Sequence, residues 1–489
     1  MKKIVLFLSL FSTVLLCAKV ELPSIFSHHA VLARHEKVPV WGKAAPGEKV
    51  TVEFNKQKVS ASADKNGKWR VYLDLKKSPE GPFVLKINDI VIKDVVVGEV
   101  WLGSGQSNMA MTARNSIGFE QEKKGFPNKK LRMFSIPASY KATAQENCPG
   151  KWHIADARMA GSFSAASYFF GKKLQQELNC PVGLIKAAQG ASFIECWMSE
   201  ENFKKFPAAV ARNNHRMKAK KQPPWWRKPF GLYNAMIHPL IHPLIPYRLS
   251  GVIWYQGEAN FRAPEDYADL FRGLINEWRK NFDDPKLSFY WCSLAGFHDK
   301  SADPAEKTGW GIIRSKQTEV LDLPCTGQAI LTDAGETKDV HPRNKKVAGE
   351  RLAALALART YGKKIPCTGP EIVSASAKDN VVTLSFKVDG GGLAAHAVPA
   401  TFVIKSKENK TAPLVRNSPN AQLEGFALCG KDGKWFWADK ADIKGETVVL
   451  SSAKVPAPAK VRCSMQDNPT CNLYSKAGFP VVPFEVSVK

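Results

Sequence analysis

Acidic side chains are the scarce class in this 489-residue sequence: 45 Asp and Glu stand against 70 Lys and Arg, a formal net charge of +25. Such a chain attracts polyanions, but charge alone does not choose among nucleic acid, an acidic glycan and an anionic membrane surface. Several chemistry-bearing patterns are missing. No Cys-x-x-Cys pair occurs, which disfavours a zinc ribbon. No His-Glu-x-x-His occurs, and Pro239 and Pro243 break the helix that His238 and His242 would need to act as a paired zinc site. No Gly-x-Gly-x-x-Gly or phosphate-cradling glycine loop is present, so neither a metal nor a nucleotide cofactor is expected. There is no repeat at a fixed period and no low-complexity tract. With 44% hydrophobic and 24% charged residues the composition is that of a globular protein. The length allows two to four domains of about 100–200 residues each.

Long apolar runs are also lacking beyond the N-terminus, where charges or prolines interrupt every candidate, so no stable membrane span is expected. The first residues are different. Met1-Lys2-Lys3 precedes an apolar stretch from Ile4 to Leu16, and Leu16-Cys17-Ala18 offers a cleavage site. The stretch is about 13 residues long, short of the roughly 20 a spanning helix needs. Residues 1–18 therefore read as a cleavable secretory signal. Leu16 is bulky where a lipid-attachment site wants a small residue, so anchoring through Cys17 is not expected. A secreted or periplasmic location follows, and it makes nucleic acid a poor partner. An odd number of cysteines remains after Cys17, at irregular spacing; Cys463 and Cys471 are the easiest local pair.

Residues 19–97 alternate apolar and polar positions over Val38–Gly42, Lys49–Phe54 and Lys68–Leu73, with turn chemistry between, as a small antiparallel β-domain does. The pattern changes at Asp94. Val95–Leu102 is nearly continuous apolar sequence, as in a strand buried on both faces. Helical spacing from Ala165 to Leu178, a strand at Pro181–Ile185, another at Gly251–Tyr255, a helix over about 265–280, a strand at Leu287–Trp291 and an amphipathic helix over Asn344–Tyr361 follow. Alternation of this kind predicts an α/β domain over 98–366, a parallel sheet with helices on both faces. Strand periodicity returns in a β-rich accessory segment over 367–489, at Val381–Phe386 and Thr447–Leu450.

The strongest local signal is Gly103-Ser104-Gly105-Gln106-Ser107-Asn108-Met109, directly after the buried strand. The glycines permit a tight turn, and Ser107 falls at the carboxyl end of a parallel strand, where α/β sheets place their ligands. By itself this is also what a plain Gly/Ser turn looks like. The second signal is Asp339-Val340-His341-Pro342, in a loop before the last helix. A serine hydroxyl needs a base, and the base needs a partner that fixes its tautomer. The third is a pair of turns after strands, Ala188-Gln189-Gly190-Ala191-Ser192 and Gln256-Gly257-Glu258-Ala259-Asn260. These present candidate donors to an oxyanion: the Gly190 N–H, and the side-chain amide of Gln256 or Asn260.

Gly98 to Met109, Trp254 to Asn260 and Asp339 to Lys345 together resemble the signature blocks of the sialate O-acetylesterases, SGNH-type serine esterases. Val38-Pro39-Val40-Trp41-Gly42, Gly231 to Ile237 and the tail stretches Asn472-Leu473-Tyr474 and Gly478-Phe479-Pro480 match as well, so the resemblance runs from about residue 22 to 485. It implies a flavodoxin-like core and hydrolysis of carbohydrate O-acetyl esters through an acetyl-serine. Ser107 matches the nucleophile, His341 the base and Asp339 the acid behind it, with Asp333 in Leu331-Thr332-Asp333 as the alternative acid. The Ser107 and Gly190 N–H groups and the amide of Asn260 or Gln256 match the oxyanion donors. The sequence departs from the family pattern in three places. Lys338 stands where Asp-x-x-His would put the acid, Gly-x-Asn-Asp becomes Gly257-Glu258-Ala259-Asn260, and Gly-Gly-Thr becomes Gln189-Gly190-Ala191.

The expected partner is an O-acetylated glycan, and an acidic one suits the charge. A basic, aromatic stretch from Arg212 to Lys228, interrupted by Pro223-Pro224, is expected as a loop or arm over the site. Arg216 and Arg227 in it are candidate readers of a sialate carboxylate. Acetylated xylan or another neutral plant glycan is the alternative substrate. A carbohydrate-binding protein with a relict esterase centre is a third reading.

Overall fold

A computed structural model describes residues 19–218, 234–396 and 423–489 of the chain. The expected signal, Arg227 and the latter part of the basic stretch lie outside the described residues.

Seven strands form the central layer: β1 (Ile90–Gly105), β2 (Asn128–Ser135), β3 (Trp152–Ala155), β4 (Val182–Ala188), β5 (Gly251–Tyr255), β6 (Ser288–Cys292) and β7 (Thr326–Ala329). Their spatial order is β7-β6-β5-β1-β4-β2-β3. Every pairing is parallel except that of β3 with β2. The order differs from the flavodoxin one by a single exchange, with β4 standing between β1 and β2.

The near-continuous apolar sequence of these strands has its cause in two buried faces. Along β5, Ile253 and Tyr255 join one core while Val252 and Trp254 join the other. β6 divides the same way, Tyr290 and Cys292 against Phe289 and Trp291. Helices α1 (Ala165–Leu178) and α5 (Lys345–Leu355) cover the first face. α3 (Tyr267–Asn281) and α4 (Gly309–Glu319) cover the second; α2 (Pro207–Lys218) adds Ala209 to that core. Each large apolar side chain fully buried in this way contributes about 1.5–3 kcal/mol before its entropy cost. Where α1 crosses α5, a Cβ on Gly349 would sit 2.7 Å from the Ala166 carbonyl oxygen, so the two backbones meet only because residue 349 has no side chain.

β1 is the link between modules. Its first half pairs with Phe83–Ile87 of the N-terminal β-region, and its second half lies between β4 and β5. The expected boundary at residue 97/98 thus falls inside one continuous strand. Among its described residues the C-terminal segment forms two four-stranded sheets and one two-stranded pair around a separate core containing Val382, Leu384, Phe426 and Val461. It returns to the α/β layer through the buried Arg314, whose guanidinium donates to the carbonyls of Gln466 (2.6 Å) and Asp467 (2.7 Å).

Candidate active site

Three adjacent strands at the middle of the sheet, β4, β1 and β5, end at the same edge, and each leads into one of the turns singled out in the sequence. At the end of β1 the chain turns sharply. Gly105 has φ +131°, and a Cβ there would lie 2.2 Å from the Tyr255 carbonyl oxygen, so only glycine lets β1 pass β5 at that point. Ser107 then opens a single helical turn, Ser107–Ala110.

His341 reaches Ser107 from the loop before α5. Its Nε2 lies 2.8 Å from the Ser107 Oγ, a full hydrogen bond across 234 residues of sequence. Its Nδ1 lies 3.3 Å from the Asp339 Oδ1, and the same oxygen accepts the His341 backbone N–H at 2.8 Å. Asp339 therefore forms a local turn that fixes both the backbone and the ring of His341. The site is open: the His341 and Asp339 side chains are 41% and 53% exposed. Partial burial still holds the His341 pKa below the ordinary imidazole value; the Lys345 charge pushes it the same way while Asp339 opposes. A neutral imidazole is the form that can take a proton from a serine.

Asp333, the alternative acid, is elsewhere. Arg351 grips it with two bonds of 2.6 and 2.7 Å, and the Tyr474 hydroxyl adds a third at 3.0 Å. Asp333 ties α5 and the C-terminal segment to the end of β7.

The oxyanion candidates separate as clearly. Gly190 follows β4 and packs against Ser107, where an added Cβ would lie 3.6 Å from the serine Cβ. Among the described residues the N–H groups of Ser107 and Gly190 have no hydrogen-bond partner. Gln256 is fully buried and fully used. Its Nε2 donates to Ser192 O (3.2 Å) and Asn260 Oδ1 (2.8 Å), and its Oε1 lies 2.8 Å from the Tyr267 hydroxyl. An amide with both hydrogens committed has none for a substrate. Asn260 gives one Nδ2 hydrogen to Glu195 Oε2 (3.0 Å) and has its oxygen fixed by Ile194 N–H and Gln256. That leaves it one N–H. Of the two amides expected from sequence, Gln256 has both hydrogens committed and Asn260 has one uncommitted.

Other residues inside the motifs had no role assigned from sequence. The Gln106 Oε1 accepts from the N–H groups of Gly257 (3.3 Å) and Ala259 (3.1 Å), clamping the β5 turn to the β1 turn. Asn108 donates to Glu258 and to the Val340 carbonyl (3.0 Å), and accepts from the Lys345 ammonium (2.8 Å). Glu258 and Lys345 are both buried. Their signal was present as charged residues at the buried ends of apolar strands and helices, where a charge needs a partner.

Part of the basic stretch expected as a loop is helical. Arg212, Arg216 and Lys218 lie in α2, which starts at Pro207, a residue suited to a first helical turn; the Pro223-Pro224 break comes after it. Arg216 packs 3.8 Å over the Phe193 ring and pairs with Glu195 Oε1 at 3.1 Å. Both border a cavity of 450 Å³ whose walls include Arg212, Arg262 and Asn260. His238 and His242 face each other, 3.3 Å between Nδ1 atoms, and no group of three or more metal-ligating side chains exists among the described residues. The Cys463 and Cys471 sulfurs are buried 3.0 Å apart as free thiols, where the sequence reading expects a local disulfide; the two side chains meet, but no bond joins them.

Comparison with known proteins now bears on this geometry. The family model described as carbohydrate esterase, sialic acid-specific acetylesterase, matches residues 97–357, more than half of the chain, and spans all three blocks. The chain belongs to this carbohydrate esterase family. It is 30% identical over 373 residues to the sialate O-acetylesterases of Homo sapiens and of Pongo abelii, covering 66% of this chain and 68% of each of those proteins. A crystal structure of a carbohydrate acetylesterase from Xanthomonas citri superposes with a TM-score of 0.82 at 30% identity, over 96% of this chain and 99% of that one. This member of the family is thus a carboxylic ester hydrolase, and its substrate class is the acetylated glycan. No described helix is long and apolar enough to cross a membrane.

Proposed function

We propose that this esterase removes O-acetyl groups from sialic acids, with Ser107 as nucleophile, His341 as general base and Asp339 as the residue that orients His341. The single observation carrying the mechanism is the 2.8 Å bond between His341 Nε2 and Ser107 Oγ at the joint end of three strands. In the first half-reaction His341 takes the Ser107 proton as Oγ attacks the acetyl carbonyl. The imidazolium then protonates the departing sugar oxygen, which leaves as the free hydroxyl. Water, deprotonated by the same imidazole, attacks the acetyl-serine, and His341 returns the proton to Ser107 Oγ as acetate leaves. The Ser107 and Gly190 N–H groups and the Asn260 amide receive the oxyanion in both halves. An intact serine–histidine pair argues against a relict centre.

The sialate assignment draws on the names of the human and orangutan relatives and on the cavity beside Asn260, whose lining has Arg212, His215, Arg216 and Arg262 with Glu195, Arg212 being paired with Asp266. A planar guanidinium suits the sialate carboxylate. The second reading is a neutral acetylated glycan such as xylan, and the Arg216–Glu195 pair favours it, because that arginine already has a counter-charge. Acetate release from O-acetylated sialoglycan and from acetylated xylan, measured side by side, decides between them; a preference for xylan refutes the sialate assignment. We also propose export by the N-terminal signal over residues 1–18, which N-terminal sequencing of the mature chain tests.

A further inference from the structure

We infer that Asn108 and Lys345 are positioning residues of the esterase centre: they tie the two backbone carbonyls flanking His341 to the turn that carries Ser107, and so set the distance between base and nucleophile. The inference rests on the serine-esterase reading above and deepens it.

The bonds run in one direction only. Val340 and Pro342 bracket His341 in sequence. The Val340 carbonyl accepts from Asn108 Nδ2 at 3.0 Å, and the Pro342 carbonyl accepts from the Lys345 ammonium. Lys345 also donates to Asn108 Oδ1 at 2.8 Å, and Asn108 Nδ2 donates to the Glu258 carboxylate. The orientation of the Asn108 amide follows from its partners: a lysine only donates, and a carbonyl only accepts. Asn108 is the residue after Ser107. Motion of the His341 loop away from the serine therefore breaks bonds at both sides of the histidine. The same chain joins all three sequence blocks, Asn108 from the first, Glu258 from the second and Lys345 from the third.

The lysine is not explained by the fold. It is the first residue of α5, where the helix dipole disfavours a cation, and it is 1% exposed. Burying an ammonium is costly, and a methionine would fill the space more cheaply. Burial pulls the Lys345 pKa down to about 8, against the opposing pull of Glu258, Cys292, Glu336 and Asp339, and its ammonium also lies 5.5 Å from the Tyr255 ring centre. Burial raises the Glu258 pKa, opposed by Asn108 and Lys345. His341 faces two charges, Asp339 and Lys345, with opposite effects on its proton. Lys345 has two consequences for His341: it holds the loop in place and it disfavours the imidazolium.

The test compares Lys345→Met and Lys345→Arg with wild type on p-nitrophenyl acetate, a neutral ester that does not need the glycan subsite. Active sites are counted with a serine-reactive phosphonate. Lys345→Met is expected to lower kcat per active site about 10²-fold, the cost of a misplacement near 1 Å, with KM unchanged. Its acid limb of kcat/KM should move to higher pH, because the imidazolium is no longer opposed by a neighbouring ammonium. Lys345→Arg keeps the charge and should keep the limb at its wild-type pH. A purely structural role instead lowers the number of active sites while each turns over normally with an unmoved limb, and that result overturns the inference. Should Lys345→Met fail to fold because Glu258 is left alone, the neutral pair Lys345→Met/Glu258→Gln carries the same expectation and the same refutation. Ser107→Ala is run alongside: full activity there refutes the esterase reading, whereas an inactive Ser107→Ala beside a wild-type Lys345→Met refutes only the role of Lys345.

Discussion

Asp333 and Arg351 form a two-pronged pair, 2.6 and 2.7 Å, with side chains only 6% and 11% exposed. That pairing removes Asp333 from the chemistry, although it lies in the same run of sequence as Asp339 and His341. The two aspartates have different work, and their amide variants should fail differently.

Asp339→Asn is expected to keep the fold and lose kcat, by up to about 10⁴ where the acid stabilises the imidazolium as in the serine-protease template. Because Asp339 is half exposed, a smaller loss is the mark of a Ser–His pair held chiefly by the local turn. Asp333→Asn should instead cost stability, about 3–5 kcal/mol for breaking a buried pair, with normal turnover per folded molecule. Thermal melts paired with active-site-normalised kcat check both. Equal kcat for the two variants contradicts the assignment.

The two amides of the β5 turn should separate in the same manner. Asn260→Ala is expected to lower kcat about 10²–10³-fold, the usual cost of one oxyanion donor, with little change in KM. Gln256→Ala strands the Ser192 carbonyl in a dry interior and leaves the Tyr267 hydroxyl only the residue 256 backbone carbonyl, so its effect should appear first in the melting temperature. Steady-state kinetics with differential scanning calorimetry reads the contrast.

The pH profile follows from His341. Only the neutral imidazole accepts the Ser107 proton, so kcat/KM rises as pH passes upward through the His341 pKa. Burial and the Lys345 charge put that midpoint below 6.5, the ordinary imidazole value. The acid limb of kcat/KM on a neutral ester should therefore fall below pH 6.5, and an NMR titration of His341 should show the same midpoint. A midpoint above 6.5 indicates that Asp339 outweighs burial.

The α/β layering was legible because strands buried on both faces are nearly continuous apolar sequence, and Val95–Leu102, Gly251–Tyr255 and Leu287–Trp291 are, with Glu99 and Ser288 the exceptions among them. The meeting of Ser107, His341 and Asp339 was legible for a related reason: serine at a strand end and Asp-x-His in a loop are unusual enough together to stand out, and the family blocks surround them. The choice between Gln256 and Asn260 was not legible, since both are amides in one turn and only their bonding partners tell them apart. Nor was the rank of Asp333, whose partner Arg351 lies 18 residues on and whose second partner, Tyr474, lies in another module. The helix through Arg212 and Arg216 was not legible because Pro223-Pro224 in the sequence disfavours one helix over the whole stretch, while α2, Pro207–Lys218, lies before the prolines.

The substrate assignment has its own test in charge. Arg216→Ala should raise KM for O-acetylated sialate and leave p-nitrophenyl acetate nearly unchanged, and Arg227→Ala should do the same. Any part of the effect due to exposed charge should shrink with added salt, because screening acts beyond about 8–10 Å at physiological ionic strength. Variants that treat charged and neutral esters alike favour the neutral-glycan reading.

The central claim is that Ser107 is the nucleophile. Its most direct test is mass spectrometry of the chain after a serine-reactive phosphonate, with Ser107→Ala as the matched control. One adduct, on the Ser107 peptide of the wild type, together with no adduct and no ester turnover in Ser107→Ala, is the predicted result. An adduct on another residue, or wild-type turnover by Ser107→Ala, contradicts it.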